Sequence, residues 1–410
     1  MKKKVVLAYS GGLDTTLSLN LLKEKQGYDV ITLTINIGNE KNWEEVKQKA
    51  IEMGAIDSIV VDLKETFAED FVLYALQASA LYENRYPLAT ALARPLMAKS
   101  LVNTAGKKGA VAVAHGCSGK GNDQLRFEHA IASLNPDLDI LAPIRDGEVK
   151  RTESLRFLKQ KEGRDTDDVF SIDENIWGRS IECGIIEEEW IEPPSSIYSM
   201  TKEIVDTPDK AVYLEIKFEY GKPVEINGIQ LSFLQIIEEL NAIGGLHGVG
   251  RVDHMESRVV GIKSREIYEA PAALILHSAH KELEYLNLTK RQLDLKKYIA
   301  DLYADLIYQG LWYTGFHRDL RMYILSTQTA IHGTVKIKLF KGNVSIVGRK
   351  SEYSLYDREI SSYETFDGFD SQTATGFIKL HGLESVIQIR KQKDLLIGNT
   401  QSFKSLPEEQ

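Results

Sequence analysis

The stretch VVLAYSGGLDTT, from Val5 to Thr16, constrains the fold more than any other part of the chain. Its mostly apolar, partly β-branched start, Val5–Tyr9, is typical of a buried strand in a parallel sheet. The Ser10-Gly11-Gly12 turn follows, and its adjacent glycines let the backbone bend sharply and approach a ligand. A helix-like run comes next, so hydroxyl groups and the free N–H groups of the helix start converge on one point. The stretch therefore predicts an anion site, above all for phosphate groups.

This motif differs from the commoner phosphate-binding loops. A Walker A loop needs a Lys directly before Ser or Thr after its second Gly, and the sequence contains no such run and no GxGxxG after a strand. The SGG-x-D-T/S arrangement resembles instead the loop of the ATP pyrophosphatases, which implies cleavage of ATP between its α and β phosphates. A glycine-rich turn without a ligand is the alternative, but the flanking strand together with Asp14, Thr15 and Thr16 favours the ATP site.

Strand-like and helical runs alternate in the N-terminal part of the chain. The predicted strands are Val5–Tyr9, Asp29–Ile35, Ser58–Asp62, Ala110–His115 and Asp139–Ala142, with helices such as Trp43–Met53 and Thr66–Leu81 between them. This alternation predicts an α/β fold with a doubly wound parallel sheet. Because ligands bind at the carboxyl ends of such strands, the SGG loop and the loop that begins at His115 are expected to share one site.

After about Asp167 the pattern changes to α+β. Hairpins are predicted at Gly221 and at Gly342-Asn343, and helices at Phe233–Ala242, Arg291–Gln309 and Phe316–Ala330. We therefore expect three parts: a nucleotide-binding domain (residues 1–167), an α+β synthetase and oligomerisation domain (168–366) and a C-terminal tail (367–410). The polar tip SLPEEQ is expected to be poorly ordered.

Composition excludes several classes of protein. A length of 410 residues favours two or three domains, and 43% apolar with 27% charged residues is ordinary for a soluble globular protein. The net charge of −9 argues against nucleic acid as the main partner. No segment approaches the ~20 apolar residues that span a bilayer, and Cys117 and Cys183 match no metal-binding spacing. We expect a cytoplasmic protein without a secretory leader.

The segment HGCSGKGNDQLRFE, His115–Glu128, combines three glycines with charges of both signs. Arg126 offers a fork suited to a carboxylate, and Asp123 an anion suited to an ammonium group. Each residue alone could be a solvated surface charge. Together, in a glycine-rich loop at a strand end, they favour a site for an amino acid, which carries both charges.

Six motifs in this order resemble those of the argininosuccinate synthases. They are AYSGGLDT, ARPL (Ala93–Leu96), HGCSGKGNDQLRFE, DENIWGRSIE (Asp173–Glu182), HGVGRVD (His247–Asp253) and GIKSREIYEAP (Gly261–Pro271). The resemblance implies a ligase that joins L-citrulline to L-aspartate through a citrullyl-adenylate, giving argininosuccinate, AMP and pyrophosphate. It also implies ATP with Mg²⁺, a homotetramer, and an ATP-pyrophosphatase type of nucleotide-binding domain.

The resemblance implies three sets of site residues. The ATP contacts would be Ala8, Tyr9, Ser10, Gly11, Gly12, Leu13, Asp14, Thr15, Thr16, Ile35 and Gly116. The citrulline contacts would be Tyr86, Thr90, Ala91, Asn122, Arg126, Ser171, Ser180, Glu256 and Tyr268. The aspartate contacts would be Ser118, Asn122 and Asp123, with catalytic roles for Asp14, Asn122 and Asp123 and no protein side chain assigned to the metal. Without the resemblance, Tyr268 would be interpreted as a helix-packing aromatic and Glu256 as a solvated carboxylate.

Some positions depart from the family pattern: Thr16 and Ala91 for Ser, Ser118 for Thr, Cys117 for Ala and Cys183 for Gly. Ala91 has the largest expected effect, since one lost hydroxyl hydrogen bond would weaken citrulline binding by about 1 kcal/mol. Two alternatives stay open: another adenylating ATP pyrophosphatase, and a non-catalytic nucleotide-binding paralogue. The sequence has no CxxC pair, which argues against a thiolating enzyme.

Overall fold

The computed structural model describes residues 2–38, 42–147, 170–363 and 370–401. The chain forms two compact units, Met1–Ser354 and Leu355–Gln410. The predicted domain boundaries, 167/168 and 366/367, both lie outside the described residues, and so does the SLPEEQ tip.

A five-stranded parallel sheet forms the N-terminal part of the first unit. Its strands are β1 (Lys4–Ala8), β2 (Asp29–Asn36), β3 (Asp57–Asp62), β4 (Ala112–Ala114) and β5 (Asp139–Leu141). Their order is β3-β2-β1-β4-β5, so the direction of winding reverses between β1 and β4. This arrangement confirms the predicted doubly wound sheet. The loops after β1 and β4 are neighbours at the point where such sheets bind ligands.

Helices cover this sheet: α1 (Leu13–Asn20), α2 (Trp43–Glu52), α3 (Lys64–Phe67), α4 (Leu73–Ala78), α5 (Ala89–Lys108), α6 (Asp123–Leu134) and α7 (Pro143–Asp146). The predicted helix Thr66–Leu81 contains a π-helical turn and ends three residues early, where Ser79 adopts a left-handed conformation with φ of 57°. The long helix α5 has no predicted counterpart. It contains Pro95, ordinarily a helix breaker, and its Ala-rich first half is buried all round, so no amphipathic stripe marks it.

The described residues of the first unit also form two antiparallel sheets. One contains β6 (Ser171–Asn175), β7 (Gly178–Glu182), β11 (Arg251–Ser257) and β12 (Lys263–Glu269), in the order β11-β12-β7-β6. The other contains β8 (Val212–Glu219), β9 (Lys222–Ile226), β10 (Ile229–Gln230), β13 (Gly333–Phe340) and β14 (Asn343–Lys350), in the order β10-β9-β8-β13-β14. The predicted α+β pattern is therefore present. The second hairpin turns at Lys341-Gly342, one residue earlier than predicted, because both of these residues take up positive φ (47° and 79°).

Four helices pack with these sheets: α8 (Phe233–Leu246), α9 (Pro271–Asn287), α10 (Lys290–Tyr308) and α11 (Gly315–Gln328). One continuous core joins them to the parallel sheet, and its largest fully buried side chains include Trp177, Phe218 and Tyr303. A capping box between Thr289 and Gln292 starts α10. The buried face of α10 extends to its last residue, where the helix meets α6.

The described residues of the second unit include α12 (Arg358–Ser361), α13 (Ser371–His381) and α14 (Leu383–Gln401). Many of its apolar side chains are exposed, among them Phe377, Leu380 and Leu383. Across the described parts of both units, no helix combines the length and apolarity that crossing a membrane requires.

Glu269 is fully buried on β12 and connects the sheet β11-β12-β7-β6 to the segment Ser199–Thr201 through hydrogen bonds. Its carboxylate accepts hydrogen bonds from Arg179 and from three consecutive backbone N–H groups at 2.9–3.0 Å. In Glu269→Gln an N–H₂ group would face these donors, so the free energy of unfolding is expected to fall by about 3 kcal/mol in urea denaturation. The control Glu219→Gln disrupts an exposed pair with Lys217 and should change it by less than about 1 kcal/mol. Equal effects of the two substitutions would contradict this assignment.

Candidate active site

The SGG loop joins β1 to α1 as the sequence predicts. Gly11 has φ of +75°, a conformation that favours glycine, and Gly12 caps α1 without a side chain. The Ser10 hydroxyl accepts a hydrogen bond from the Gly12 N–H at 3.3 Å and lies 3.2 Å from the Thr15 hydroxyl. Ser10 and Gly12 are exposed. The loop therefore presents hydroxyl groups and the positive end of a helix to a ligand that arrives from solvent.

The loop after β4 lies directly against the SGG loop. A Cβ atom at Gly116 would fall 3.2 Å from the Asp14 carbonyl oxygen and 3.1 Å from the Ser18 hydroxyl, so glycine permits this close approach. Ser118, two residues further along, is exposed. The two loops that the sequence places at strand ends thus form one surface.

The antiparallel sheet β11-β12-β7-β6 brings together most of the residues predicted to contact citrulline. Ser180 on β7 pairs directly with Tyr268 on β12, and its hydroxyl lies 3.2 Å from that of Thr90 on α5. The rings of Tyr86 and Tyr268 stack with centroids 4.2 Å apart. The Tyr268 hydroxyl donates to the Glu256 carboxylate from the neighbouring strand. Tyr268 lies on a strand, so its interpretation as a helix-packing aromatic is wrong, and buried Glu256 is not a solvated carboxylate.

A series of hydrogen-bonded side chains of alternating charge joins this sheet to α6. One guanidinium nitrogen of Arg94 donates to Asp173 at 2.6 Å and to Asp123 at 2.7 Å, and Arg126 donates to the other Asp123 oxygen at 2.8 Å. Although burial alone would raise the pKa of Asp123, the charges of Arg94 and Arg126 lower it to about 2. Asp123 is therefore a fixed anion at neutral pH, suited to holding an ammonium group rather than to accepting its proton.

Asn122 connects the loop after β4 to the turn between β11 and β12 and to the end of α10. Its side-chain carbonyl accepts from the Val259 N–H at 3.0 Å, and its amide donates to the Tyr308 hydroxyl at 2.7 Å. The same hydroxyl donates to Glu256. Burial, and then the charge of Glu256, raise the pKa of Tyr308, so the hydroxyl keeps its proton.

The other predicted residues lie around this network. Ile35 is close to the end of β2, and Ser171 opens β6 two residues before Asp173. Ala91 has no exposed surface, and its N–H is 3.4 Å from the Tyr86 hydroxyl. Burial raises the pKa of Cys117 in the loop after β4. Its thiol is therefore expected to be unreactive.

Two protein-family models match the two halves of the chain. Residues 4–163 match the arginosuccinate synthase N-terminal HUP domain, and residues 170–388 match the arginosuccinate synthase C-terminal domain. The chain belongs to the argininosuccinate synthase family. This membership confirms the resemblance that the six motifs indicated.

Argininosuccinate synthases of several bacteria align with nearly the whole chain. That of Dehalococcoides mccartyi is 50% identical over 396 residues, covering 96% of this chain and 97% of its own. That of Halalkalibacterium halodurans is 50% identical over 397 residues with the same two coverages. That of Bacillus mycoides is 49% identical and is covered to 99% of its length.

Arg94 and Tyr308, which belong to the network described above, were not among the predicted site residues. Arg94 had a signal in the sequence, because a charged residue inside the apolar run ALARPL must be buried with a partner if that run is helical. Tyr308 had none, because its position depends on how α10 packs on α6.

The pairing of Arg94 with two carboxylates makes a pH-dependent prediction. Since the folded pKa of Asp123 lies below its unfolded value of about 3.9, the pairing stabilises the fold above that pH and is lost as the pH falls toward 2. Arg94→Gln should lower the free energy of unfolding by about 3 kcal/mol at pH 7, and by much less as the pH falls toward 2. The control Arg318→Gln removes an exposed pair with Asp319 and should cost much less at pH 7. A cost for Arg94→Gln that does not change with pH would contradict the assignment.

Proposed function

We propose that this chain is an argininosuccinate synthase, a ligase that condenses L-citrulline with L-aspartate and converts ATP to AMP and pyrophosphate. The observation that carries the proposal is the alignment of synthases of this name with 96% of the chain at up to 50% identity. The two loops at the reversal of the parallel sheet support it, because they supply the nucleotide site that such a ligase needs. In this reading the enzyme serves arginine biosynthesis.

ATP would bind along the loop after β1, with its phosphates at the start of α1. The Ser10 and Thr15 hydroxyls and the backbone of Gly12 support this position, since they gather hydrogen-bonding groups where the helix dipole favours an anion. Gly116 would let the second loop close against the same nucleotide, and Ile35 would line its adenine side.

In the first half-reaction, the ureido oxygen of citrulline attacks the α phosphorus of ATP. A new O–P bond forms, the bond to the β-phosphate oxygen breaks, and pyrophosphate leaves. We propose that Thr90, Ser180, Glu256, Tyr268 and Arg126 hold citrulline, together with Tyr86, Ala91, Asn122 and Ser171. Their role is orientation: they would hold the attacking ureido oxygen next to the α phosphate.

In the second half-reaction, the amine of aspartate attacks the activated ureido carbon and AMP leaves with the former ureido oxygen. Ser118, Asn122 and Asp123 would hold aspartate. The low pKa of Asp123 supports a role in binding the ammonium form, because a carboxylate of pKa about 2 is too weak a base to deprotonate an amine at neutral pH. The bound ammonium group would lose one proton to solvent before the free amine attacks. Asn122, which contacts Val259 and Tyr308, would lie between the two substrates.

Mg²⁺ would accompany the triphosphate. Among the residues described, no three His, Cys, Asp or Glu side chains gather as a metal site. Mg²⁺ at nucleotide sites is held largely by phosphate oxygens and water, with one or two carboxylates. The loop hydroxyls, with Asp14 in the first turn of α1 as a carboxylate, fit such an ion. When bound, it neutralises the charge that develops on pyrophosphate.

We also propose the division into domains 1–167, 168–366 and 367–410, a homotetrameric assembly and a cytoplasmic location. The family models support the first boundary, because one ends at residue 163 and the other begins at residue 170. The exposed apolar side chains of α13 and α14 support a role of the tail in contacts between subunits.

Omission of each amino acid tests the reaction. Purified protein with Mg-ATP and citrulline should release pyrophosphate in about one equivalent, because without aspartate the adenylate is not consumed. Addition of aspartate should give continuous release and stoichiometric argininosuccinate. Pyrophosphate would be measured with a coupled phosphate assay and argininosuccinate by mass spectrometry.

Two outcomes would contradict the proposal. ATP binding without pyrophosphate release, whichever amino acid is present, would favour a non-catalytic nucleotide-binding paralogue. Release that does not depend on citrulline would indicate another adenylating ATP pyrophosphatase.

A further inference from the structure

Tyr308, the last residue of α10, lies at the centre of the network described above. Its side chain is fully buried, and its backbone carbonyl accepts a hydrogen bond from Arg126 Nε at 2.8 Å. Gly310 follows with φ of +76°, and a Cβ atom there would fall 2.5 Å from the Cα atom of Arg126. The end of α10 is thereby fixed tightly against α6.

The hydroxyl of Tyr308 has one defined hydrogen-bonding arrangement. Glu256, as a carboxylate, can only accept, so Tyr308 donates its proton to it. The hydroxyl oxygen then accepts from the Asn122 amide at 2.7 Å, and the Val259 N–H fixes the other end of that amide. One phenol therefore sets the orientation of a carboxylate from β11 and an amide from the start of α6.

Aromatic contacts hold the ring itself in place. The rings of Tyr82 and Tyr308 are parallel to within 3°, with centroids 3.5 Å apart. The guanidinium carbon of Arg126 lies 4.6 Å from the centroid of the Tyr308 ring, within the range of a cation–π interaction. With stacking and a backbone contact combined, the position of the hydroxyl has little freedom.

We propose that Tyr308 is a positioning residue for citrulline, acting through Asn122, Arg126 and Glu256. This inference rests on the proposed function, in which these three residues contact citrulline. They belong to two separate elements, α6 with its N-terminal cap and β11, and Tyr308 contacts all three. Its hydroxyl aligns Glu256 to accept from N–H groups of citrulline, and its ring and carbonyl hold the guanidinium of Arg126.

The substitution Tyr308→Phe removes the hydroxyl and keeps the ring. It is expected to raise the KM for citrulline about tenfold, the effect of losing one hydrogen bond to a charged group, while the KM for ATP stays within twofold of the wild type. Tyr303→Phe is the matched control. Tyr303 lies on the same helix, is equally buried, and loses one hydrogen bond of 2.8 Å to His317, outside the network. It should leave both constants unchanged.

A double-mutant cycle between Tyr308 and Glu256 distinguishes a positioning role of Tyr308 from a general effect on stability. If Tyr308 acts through Glu256, the effects of Tyr308→Phe and Glu256→Gln on the KM for citrulline should be less than additive in the double variant. Additive effects, or equal effects of Tyr308→Phe and Tyr303→Phe, would overturn the inference. If Tyr308→Phe does not fold, Tyr82→Phe is the control, because it loses only the hydrogen bond from the Tyr82 hydroxyl to the Ser257 carbonyl and keeps the ring. Tyr82→Leu loses that hydrogen bond and the stacking partner of Tyr308 as well. A citrulline-selective rise in KM is expected there too, and its absence would overturn the inference.

The wild-type enzyme distinguishes this inference from the function on which it rests. Pyrophosphate release by the wild type that ignores citrulline overturns the proposed function, and the role of Tyr308 with it. Citrulline-dependent release by the wild type, with Tyr308→Phe kinetically indistinguishable from it, overturns the role of Tyr308 alone.

Discussion

The reversal of strand order between β1 and β4 is the constraint on which the site depends. β2 and β3 extend to one side of β1, and β5 lies beyond β4 on the other, so the loops after β1 and β4 open into the same gap. Gly116 then rests against the backbone of Asp14, at a distance that a side chain would not allow. The beginnings of α1 and α6 meet at this edge as a consequence, and both bring backbone N–H groups to the place proposed for ATP and aspartate.

A second requirement is that the charges around this gap are paired with one another. Hydrogen bonds join four charged side chains of alternating sign in space: Asp173 on β6, Arg94 on α5, and Asp123 and Arg126 on α6. In such a series each charge has a partner before any substrate arrives, which limits reorganisation during the reaction. Tyr308 adds Glu256 to this network, because its carbonyl accepts from Arg126 and its hydroxyl donates to Glu256. Groups from both halves of the chain are thereby held in one arrangement.

Local sequence patterns predicted the features that depend on neighbouring residues. The buried strand Val5–Tyr9, the SGG turn and the hairpin at Gly221 follow from hydrophobic period and glycine conformation. The sheet that pairs Ser180 with Tyr268 did not follow, because these strands are separated by more than eighty residues and their pairing is set by tertiary packing. The family resemblance supplied those residues instead.

Helix α5 and Tyr308 show two further limits of local patterns. Residues of α5 such as Ala93 and Leu96 are buried on every side, so the sequence lacks the polar face that identifies an amphipathic helix. Tyr308 belongs to a helix whose general position was predicted, Arg291–Gln309. Its contact with Asn122 depends on the docking of that helix against α6, about which the spacing of apolar residues says nothing.

The central claim is that the ureido oxygen of citrulline is brought to the α phosphorus of ATP at this one site. Citrulline labelled with oxygen-18 in the ureido group tests this most directly, since that oxygen must leave on the phosphate of AMP. Mass spectrometry of the AMP formed with unlabelled ATP and aspartate should find one labelled oxygen in each molecule. Unlabelled AMP, or label recovered in inorganic phosphate, would contradict the account, because citrulline would then have been activated elsewhere or not at all.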